Sequence, residues 1–406
     1  MVLTGGGARA AYQVGVLSAV ARIRRDCDAD DGNPFGVITG TSAGAINAAA
    51  LACGADDFDG AVDELCAVWE NFSAEQVYRA DAIGMLRTGA RWLTMLSIGW
   101  IIARWRRARP RSLLDNSPLE VLLARMVRLE RVPQLMAQGH LDALAITASS
   151  YGSGQHVTFY DAHNDIVPWT RTQRVAVRER IGVHHLLASS AIPFVFPAVS
   201  LDLQGQAEWF GDGSMRQSAP ISAAVHLGAE RILVIGAGRM HEPPGGRAVS
   251  PGYPSLAQIA GHAMSSIFLD ALAFDIERLQ RINATLALLP PAARSATSLR
   301  PIDVLVIAPT QRIDDIAARH LASLPAPVRA MLRGVGVSGE GTEVRGSALA
   351  SYLLFEQPFT RELVALGMAD TLARRDAVAS FFGWDRRAAR RSEPEPSTFD
   401  LDNRMI

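Results

Sequence analysis

A serine between glycines is the first group in the chain that could do covalent chemistry. Ser42 stands in the pattern Gly-x-Ser-x-Gly, between Gly40 and Gly44. A short apolar run at residues 35–39 precedes the pattern, and an alanine-rich helix former at residues 45–52 follows it. A strand, a sharp turn and a helix in this order present a serine hydroxyl as a nucleophile. The sequence therefore predicts a nucleophile elbow at Ser42.

A glycine-rich turn near the start of the chain is the second chemical feature. Residues 5–10 read Gly-Gly-Gly-Ala-Arg-Ala and follow a predicted strand at residues 2–4. Successive backbone N–H groups in such a turn can surround an anion. No Gly-Lys-Ser/Thr follows, so the turn is not a Walker loop, and contiguous glycines make a poor dinucleotide fingerprint. We expect this turn to donate to the oxyanion that forms when a hydroxyl attacks a carbonyl.

Ser42 also needs a base, because a serine hydroxyl is a weak nucleophile near neutral pH. Asp212 is the best candidate, since it follows a short strand predicted at residues 208–210 and lies between Gly211 and Gly213, where it can present a short carboxylate without crowding. A histidine is the alternative base, and four come into question: His184, His185, His226 and His262. None of them has glycine on both sides, and a histidine on a helix is more often a surface or core residue than a catalyst.

The elements that must position these groups are those of an α/β protein. Two aliphatic runs, at residues 232–235 and 304–307, are typical of strands buried on both faces of a mostly parallel sheet. Apolar residues recur at helical spacing at residues 11–23 and 58–70, and a long helix is predicted at about residues 255–283. We therefore predict a three-layer α/β/α fold with a central mostly parallel sheet and a C-terminal helical extension.

One segment of unusual composition interrupts this pattern. Residues 83–111 hold an uncharged, tryptophan-bearing stretch with arginines on both sides. The uncharged stretch itself, residues 92–103, is too short to cross a bilayer, which needs roughly 20 apolar residues. We interpret it as a flap at a membrane interface or a lid over an apolar cleft. The alternative is a buried helix with a solvated basic end.

These features predict three parts of the chain. Residues 1–310 form the α/β part with the flap as an insertion, and residues 311–385 form the helical extension. Residues 386–406 mix arginine with serine, glutamate and proline, which predicts a disordered tail.

The overall composition excludes some classes of function. The chain has 406 residues, 49% of them hydrophobic, and a net charge of -1, which gives no electrostatic footprint for nucleic acid. Its cysteines are odd in number and lack metal-ligand spacing, which indicates reduced thiols: Cys27, Cys53 and Cys66. The first residues lack the pattern of a signal peptide. We expect a cytoplasmic protein without metal or cofactor, with peripheral membrane contact through residues 83–111.

Three blocks taken together resemble the patatin-like phospholipase family. That family has a Gly-Gly-Gly-x-Arg/Lys-Gly block, then a Gly-x-Ser-x-Gly elbow, then an Asp-Gly-Gly/Ala block. Residues 5–10, 40–44 and 212–214 correspond to these blocks in the same order, and residues 190–193 are similar to the family's Ser-Ala-x-Pro loop. The resemblance covers roughly residues 1–310.

The resemblance implies a lipid acyl hydrolase with a Ser–Asp dyad, Ser42 and Asp212, with Gly213 placing the base. The substrate would be a phospholipid, a lysophospholipid or another fatty acyl ester, cleaved through an acyl-enzyme. The implied oxyanion hole is the glycine-rich turn with its neighbours: Gly5, Gly6, Gly7, Ala8 and Arg9. Arg9 would fix this loop or add positive charge near it, and the alternative is a surface arginine.

Two departures from the family pattern carry separate expectations. Ala10 replaces a glycine, which would disturb the turn if the position needs a positive φ. Ser214 replaces glycine or alanine and adds a hydroxyl beside the base. Three other functions stay open: an acyltransferase, a Ser–His–Asp esterase, and a catalytically degenerate membrane-docking protein.

Overall fold

The computed structural model describes residues 1–29, 32–79, 112–240, 253–339 and 345–385. The flap predicted at residues 83–111 and the tail predicted at residues 386–406 lie outside these ranges.

One sheet of ten strands organises the described residues. The strands are β1 (Val2–Leu3), β2 (Val37–Thr41), β3 (Ala143–Ser150), β4 (His156–Ala162), β5 (Thr170–Arg171), β6 (Arg174–Arg178), β7 (Val199–Leu203), β8 (Gln206–Asp212), β9 (Arg231–Ile235) and β10 (Asp303–Ile307). Their order is β10-β9-β1-β2-β3-β4-β6-β5, and a hairpin of β7 and β8 is attached to β3. All neighbours from β10 to β3 are parallel, whereas β4 and β8 run antiparallel to β3.

Helices pack around this sheet. They are α1 (Ala11–Asp26), α2 (Ala43–Cys53), α3 (Phe58–Glu70), α4 (Ser117–Met126), α5 (Val132–Ala137), α6 (Val183–Ser189), α7 (Ser222–His226), α8 (Leu256–Ser265), α9 (Ala271–Leu288), α10 (Pro291–Ser295), α11 (Ile313–His320), α12 (Ala326–Gly334), α13 (Ser347–Ser351), α14 (Gln357–Leu372) and α15 (Arg375–Phe382). The predicted α/β fold with a mostly parallel central sheet and a helical C-terminal region is confirmed.

The long helix predicted at about residues 255–283 is continuous over Leu256–Leu288, with a π-helical turn at Ser266–Asp270 between α8 and α9. Within the described ranges this stretch alone has the length and composition of a membrane span, and 28% of its apolar window is buried. Phe268, Leu272 and Ile276 lie on its buried side.

Strand register explains why two distant segments meet at one edge of the sheet. The first part of β3 pairs with β2, ending at Thr41 opposite Thr147. The next residue of β3, Ala148, pairs instead with Asp212 of β8. The residue after Thr41 and the last residue of β8 therefore lie side by side. Asp212 itself is the end of this strand, slightly beyond the strand end that the sequence predicted.

The C-terminal helices pack closely on the start of the chain. A Cβ atom on Gly15 of α1 would lie 1.9 Å from the Val364 carbonyl oxygen of α14. A Cβ atom on Gly367 would lie 2.2 Å from the Tyr12 carbonyl oxygen. The two helices therefore cross with their backbones in contact at glycines. The division of the chain at residue 310 stays a prediction.

Candidate active site

Ser42 occupies a strained turn between β2 and α2. Its φ of 55° and ψ of -132° are unusual for a residue with a side chain. The surrounding glycines are required by space, because a Cβ on Gly40 would lie 2.4 Å from the Gly44 carbonyl oxygen. A Cβ on Gly44 would lie 2.5 Å from the carbonyl oxygens of Leu3 and Thr4. This is the geometry that the Gly-x-Ser-x-Gly pattern predicted.

The Ser42 hydroxyl donates a hydrogen bond to the Asp212 carboxylate. Oγ and Oδ2 are 2.5 Å apart, although the residues are 170 positions apart in the chain. The other carboxylate oxygen, Oδ1, accepts the backbone N–H of Ser214 at 2.9 Å. Ser42 and Asp212 are 1% and 0% exposed. The structure thus brings the predicted nucleophile and the predicted base together in a buried position.

Close backbone contacts fix the position of Asp212 at the end of β8. Asp212 N–H donates to the Ala191 carbonyl at 2.9 Å. A Cβ atom on Gly213 would lie 2.1 Å from the Thr147 carbonyl oxygen, so only glycine fits beside the base. Gly213 therefore allows β8 to press its last residue against β3. The Ser214 N–H that follows completes the set of contacts.

Burial raises the pKa of Asp212 to about 6. Removal from water disfavours the charged carboxylate, and the hydrogen bonds from Ser42 and Ser214 offset part of this effect. A carboxylate with a raised pKa is a stronger proton acceptor than an ordinary aspartate, and it is still mainly ionised at pH 7. A carboxylate with this pKa could accept a proton near neutral pH.

Ser189, which the sequence analysis did not single out, holds the strained elbow. Its Oγ accepts the Ser42 N–H at 2.8 Å and donates to the Thr147 carbonyl at 2.6 Å. The side chain is fully buried. Its position directly before the Ser-Ala-x-Pro loop was the available signal, but only the fold shows which backbone group it binds.

The glycine-rich loop lies beside this pair, in a 3-10 turn at Gly7–Ala10 between β1 and α1. A Cβ atom on Gly5 would lie 2.3 Å from Ser214 Oγ, so the loop touches the turn that carries the base. The positive φ of the loop is at Gly7, with a value of 55°. Ala10 has a φ of -65°, so the replacement of glycine there causes no strain.

Two of the five predicted oxyanion donors are engaged elsewhere. Ala8 N–H donates to the Tyr352 carbonyl at 3.1 Å, and Arg9 N–H donates to the Gly6 carbonyl at 3.1 Å. Gly5, Gly6 and Gly7 are then the candidate donors of this loop. The Arg9 side chain is buried and pairs with Asp314, so the alternative of a surface arginine is wrong.

The four histidines considered as bases occupy other positions. His184 and His262 are exposed. His185 accepts the Gly182 N–H at Nδ1 and packs on Phe159, and burial lowers its pKa to about 4. His226 stacks on Trp169. In the described part of the chain, the hydrogen bonds of Ser42 Oγ and of the Asp212 carboxylate involve no histidine.

An apolar cleft leads away from Ser42 between α2, α3 and α4. Its open volume is about 50 Å³, which is less than a long acyl chain needs. The lining residues include Ile46, Ala50, Trp69, Leu122, Leu123 and Phe355. The cleft gives the site an apolar wall next to the nucleophile.

Within the ranges that the structure describes, no group of three histidine, cysteine, aspartate or glutamate side chains is placed to hold a metal ion.

Comparison with known proteins adds one finding. A family model described as patatin-like phospholipase matches residues 1–225, more than half of the 406 residues. The matched part contains the elbow, the glycine-rich loop and the turn at Asp212. A search of curated proteins finds no match to the chain.

Proposed function

The chain belongs to the patatin-like phospholipase family, and we propose that it hydrolyses fatty acyl esters of lipids with Ser42 as nucleophile and Asp212 as base. Membership of this family suggests lipid acyl hydrolase activity. The proposed substrates are phospholipids, lysophospholipids or related acyl esters. A location in the cytoplasm and contact with membranes through residues 83–111 stay predictions.

The observation that carries the proposal is the hydrogen bond between Ser42 Oγ and Asp212 Oδ2, at 2.5 Å. A serine that donates directly to a buried carboxylate has its base in place without a histidine between them. The raised pKa of Asp212 supports the same role.

In the first half of the proposed reaction, Ser42 Oγ attacks the ester carbonyl while Asp212 Oδ2 takes its proton. The carbonyl oxygen becomes negative and accepts hydrogen bonds from the glycine-rich loop, with Gly5, Gly6 and Gly7 as the candidate donors. Collapse of this intermediate breaks the ester C–O bond. The proton on Asp212 passes to the departing alcohol oxygen, which leaves an acyl group on Ser42.

In the second half, Asp212 takes a proton from a water molecule that attacks the acyl-enzyme. A second tetrahedral intermediate forms and occupies the same hydrogen-bond donors. Ser42 leaves with the proton from Asp212, and the fatty acid is released. Both halves use the same base, so loss of its carboxylate would stop acylation and deacylation.

The apolar cleft supports a fatty acyl group as the substrate part next to Ser42. Burial of each methylene of an acyl chain contributes about 0.8 kcal/mol. The open volume of about 50 Å³ means that side chains of the lining must move to admit a long chain. We propose that the acyl chain lies along α2 between Ile46 and Leu122.

An active-site label tests the nucleophile without assuming a substrate. We expect a fluorophosphonate to modify the wild-type protein at Ser42, as located by mass spectrometry, and to leave Ser42→Ala unmodified. Release of fatty acid from short- and long-chain esters should fall by at least about 10³-fold in Ser42→Ala and in Asp212→Asn. Equal rates in wild type and Ser42→Ala, or a label on another residue, would refute the proposal.

A further inference from the structure

The glycine-rich loop is held by residues from the far end of the chain. The Tyr352 carbonyl oxygen accepts the Ala8 N–H at 3.1 Å. The same oxygen lies 2.3 Å from the position of a Cβ atom on Gly7. Tyr352 lies well beyond residues 1–225, which the family model matches. A segment outside the matched part therefore contacts the candidate oxyanion loop.

The Arg9 side chain makes a second set of contacts to this segment. Its Nε donates to Ser351 Oγ at 2.8 Å, and its Nη2 donates to Asp314 Oδ1 at 2.6 Å and to the Ala348 carbonyl at 3.3 Å. The guanidinium carbon lies 4.0 Å from the centre of the Tyr352 ring. The Arg9 side chain is 3% exposed, so water screens this ion pair only weakly.

The Tyr352 ring links both ends of the loop. One face meets the Arg9 guanidinium, and the ring stacks on Phe268 at 5.0 Å between centres. The Phe268 ring in turn fills the space beside Gly5, where a Cβ atom would lie 2.9 Å from two ring carbons. The ring of Tyr352 is fully buried. The stack of Arg9, Tyr352 and Phe268 therefore connects Arg9, near the end of the loop, with Gly5 at its start.

We propose that Arg9, Tyr352 and Asp314 form a clamp that positions the oxyanion loop, so that the C-terminal region completes the active site without contributing a reacting atom. The clamp is defined by these three residues. Its catalytic meaning rests on the function proposed above.

The physical reason for a clamp is the composition of the loop. Three consecutive glycines have more backbone freedom than any other tripeptide, so the loop needs outside contacts to keep one conformation. Hydrogen-bond donors act on an oxyanion only when they are already in place, and a misplacement of about 1 Å can cost about 10²-fold in rate. A guanidinium with several directed contacts and a stacked ring restricts the loop more than a lysine could.

The test compares folded variants of the clamp in the full chain. Arg9→Lys keeps the positive charge but loses the planar guanidinium and its directed hydrogen bonds. Asp314→Asn keeps the shape of the side chain but loses the ion pair, and Tyr352→Leu removes the aromatic ring. With a soluble short-chain ester we expect kcat to fall about 10–100-fold and KM to change less than about threefold. Tyr352→Phe should restore most of the rate lost in Tyr352→Leu, because the stack is kept.

Arg375→Lys is the matched control. Arg375 also joins the C-terminal helices to the start of the chain, through Asp26 at 2.5 Å, but its side chain is 41% exposed and lies outside the clamp. We expect the kcat and the melting temperature of Arg375→Lys to equal those of the wild type. This control separates the loss of a clamp contact from the general loss of an arginine between the same two regions.

Hydrogen–deuterium exchange supplies a measure that does not depend on activity. Amides of residues 5–9 should exchange faster in Arg9→Lys and Asp314→Asn than in wild type and Arg375→Lys. Wild-type exchange and kcat in the folded clamp variants would overturn the inference, and so would a raised KM at unchanged kcat. The clamp variants could exchange faster while the wild-type protein cleaves no ester. That result would refute the proposed function but support the clamp.

Discussion

At the scale of single residues, the site depends on a carboxylate kept in an unfavourable place. Asp212 is fully buried, and the hydrogen bonds from Ser42 and Ser214 only partly replace water. The resulting pKa of about 6 suits the role of base that we propose for Asp212 near neutral pH. The same burial makes the ionised form costly for the folded protein.

The activity should therefore depend on pH through Asp212. Only the ionised carboxylate can take the Ser42 proton, so kcat/KM should fall about tenfold per pH unit below about pH 6. The measurement is kcat/KM for a soluble ester from pH 4 to pH 8, with circular dichroism at each pH to verify folding. An acidic limb near pH 4 would show that burial does not raise the pKa of the base.

Burial of the Asp212 charge should also lower the stability of the folded protein, and the Asp212→Asn variant tests this. The folded-state pKa of about 6 lies above the ordinary value of 3.8, so ionisation destabilises the fold. This cost is absent below about pH 4, grows between the two values and is complete above about pH 6. The amide carries no charge, so the variant should exceed the wild type by about 2–3 kcal/mol in free energy of unfolding at pH 8. Urea unfolding at pH 4 and pH 8 measures the difference.

Asp165→Asn serves as the comparison, because the Asp165 side chain is 99% exposed. Its effect on stability should be small at both pH values. An Asp212→Asn protein that is less stable than wild type at pH 8 would contradict the assigned cost of burial.

Residue types and spacing predicted which side chains would meet, but not every contact they make. Ser42 lies in a Gly-x-Ser-x-Gly pattern and Asp212 stands directly between two glycines. These local signals made both residues candidates, and the family resemblance implied that they form a pair. The partner of Arg9 was not predictable, because Asp314 lies 305 positions away and no local pattern marks it. Ser189 was missed for a similar reason, since its role depends on the direction of one backbone N–H.

At the scale of elements, the packing of α2 against the ends of β1 and β2 sets the position of Ser42. Gly44 lies in the first turn of α2, directly against the end of β1. This contact explains why the elbow needs glycine although the backbone there does not require a positive φ. The strain at Ser42 is of order 1–3 kcal/mol and persists because β2 and α2 are both fixed by packing.

Gly44→Ala should consequently displace the elbow. The new methyl group would lie 2.5 Å from two backbone oxygens, which cannot move without shifting β1. We expect a loss of about 1–3 kcal/mol in stability and a fall of at least about tenfold in kcat. Denaturant unfolding and ester hydrolysis measure the two effects.

Gly334→Ala is the matched control, because a Cβ atom at this helical glycine meets nothing within 4 Å. It should leave activity unchanged. Equal behaviour of the two alanine variants would show that the close contact at Gly44 is unimportant.

The sequence predicted the types of these elements well and their ends less well. Aliphatic runs identified β9 and β10, and helical spacing identified α1 and α3. The split pairing of β3, first with β2 and then with β8, was not predictable, because register is decided by partners that are distant in sequence. That split places the Asp212 carboxylate beside the Ser42 hydroxyl.

At the scale of the whole molecule, the apolar cleft joins parts that are distant in the chain. Ile46 of α2, Trp69 of α3, Leu122 of α4 and Phe355 from the C-terminal region all line it. The cleft therefore depends on the whole arrangement of helices around the sheet. Under the proposed function, its lining would set which acyl chains can reach Ser42.

Leu122→Trp should alter the preference for chain length. A larger side chain in a narrow cleft blocks a long acyl chain but leaves room near Ser42 for a short one. We expect kcat/KM for a p-nitrophenyl palmitate to fall at least about tenfold more than that for the butyrate, a difference of about 1.4 kcal/mol. Val121→Trp, on the same helix but 62% exposed, should leave both rates unchanged. A parallel fall with both esters would place Leu122 outside the acyl path.

The clamp between Arg9 and the C-terminal helices also has a consequence for the newborn chain. Arg9 leaves the ribosome 342 residues before Ser351, an interval of about 20–70 s at ordinary rates of translation. For most of that interval the nascent polypeptide already contains Ser42, but the glycine-rich loop lacks its contacts to Asp314, Ser351 and Tyr352. Under the proposed clamp and function, we expect ester cleavage at the full rate only after residues 314–352 have been synthesised and have packed against the loop.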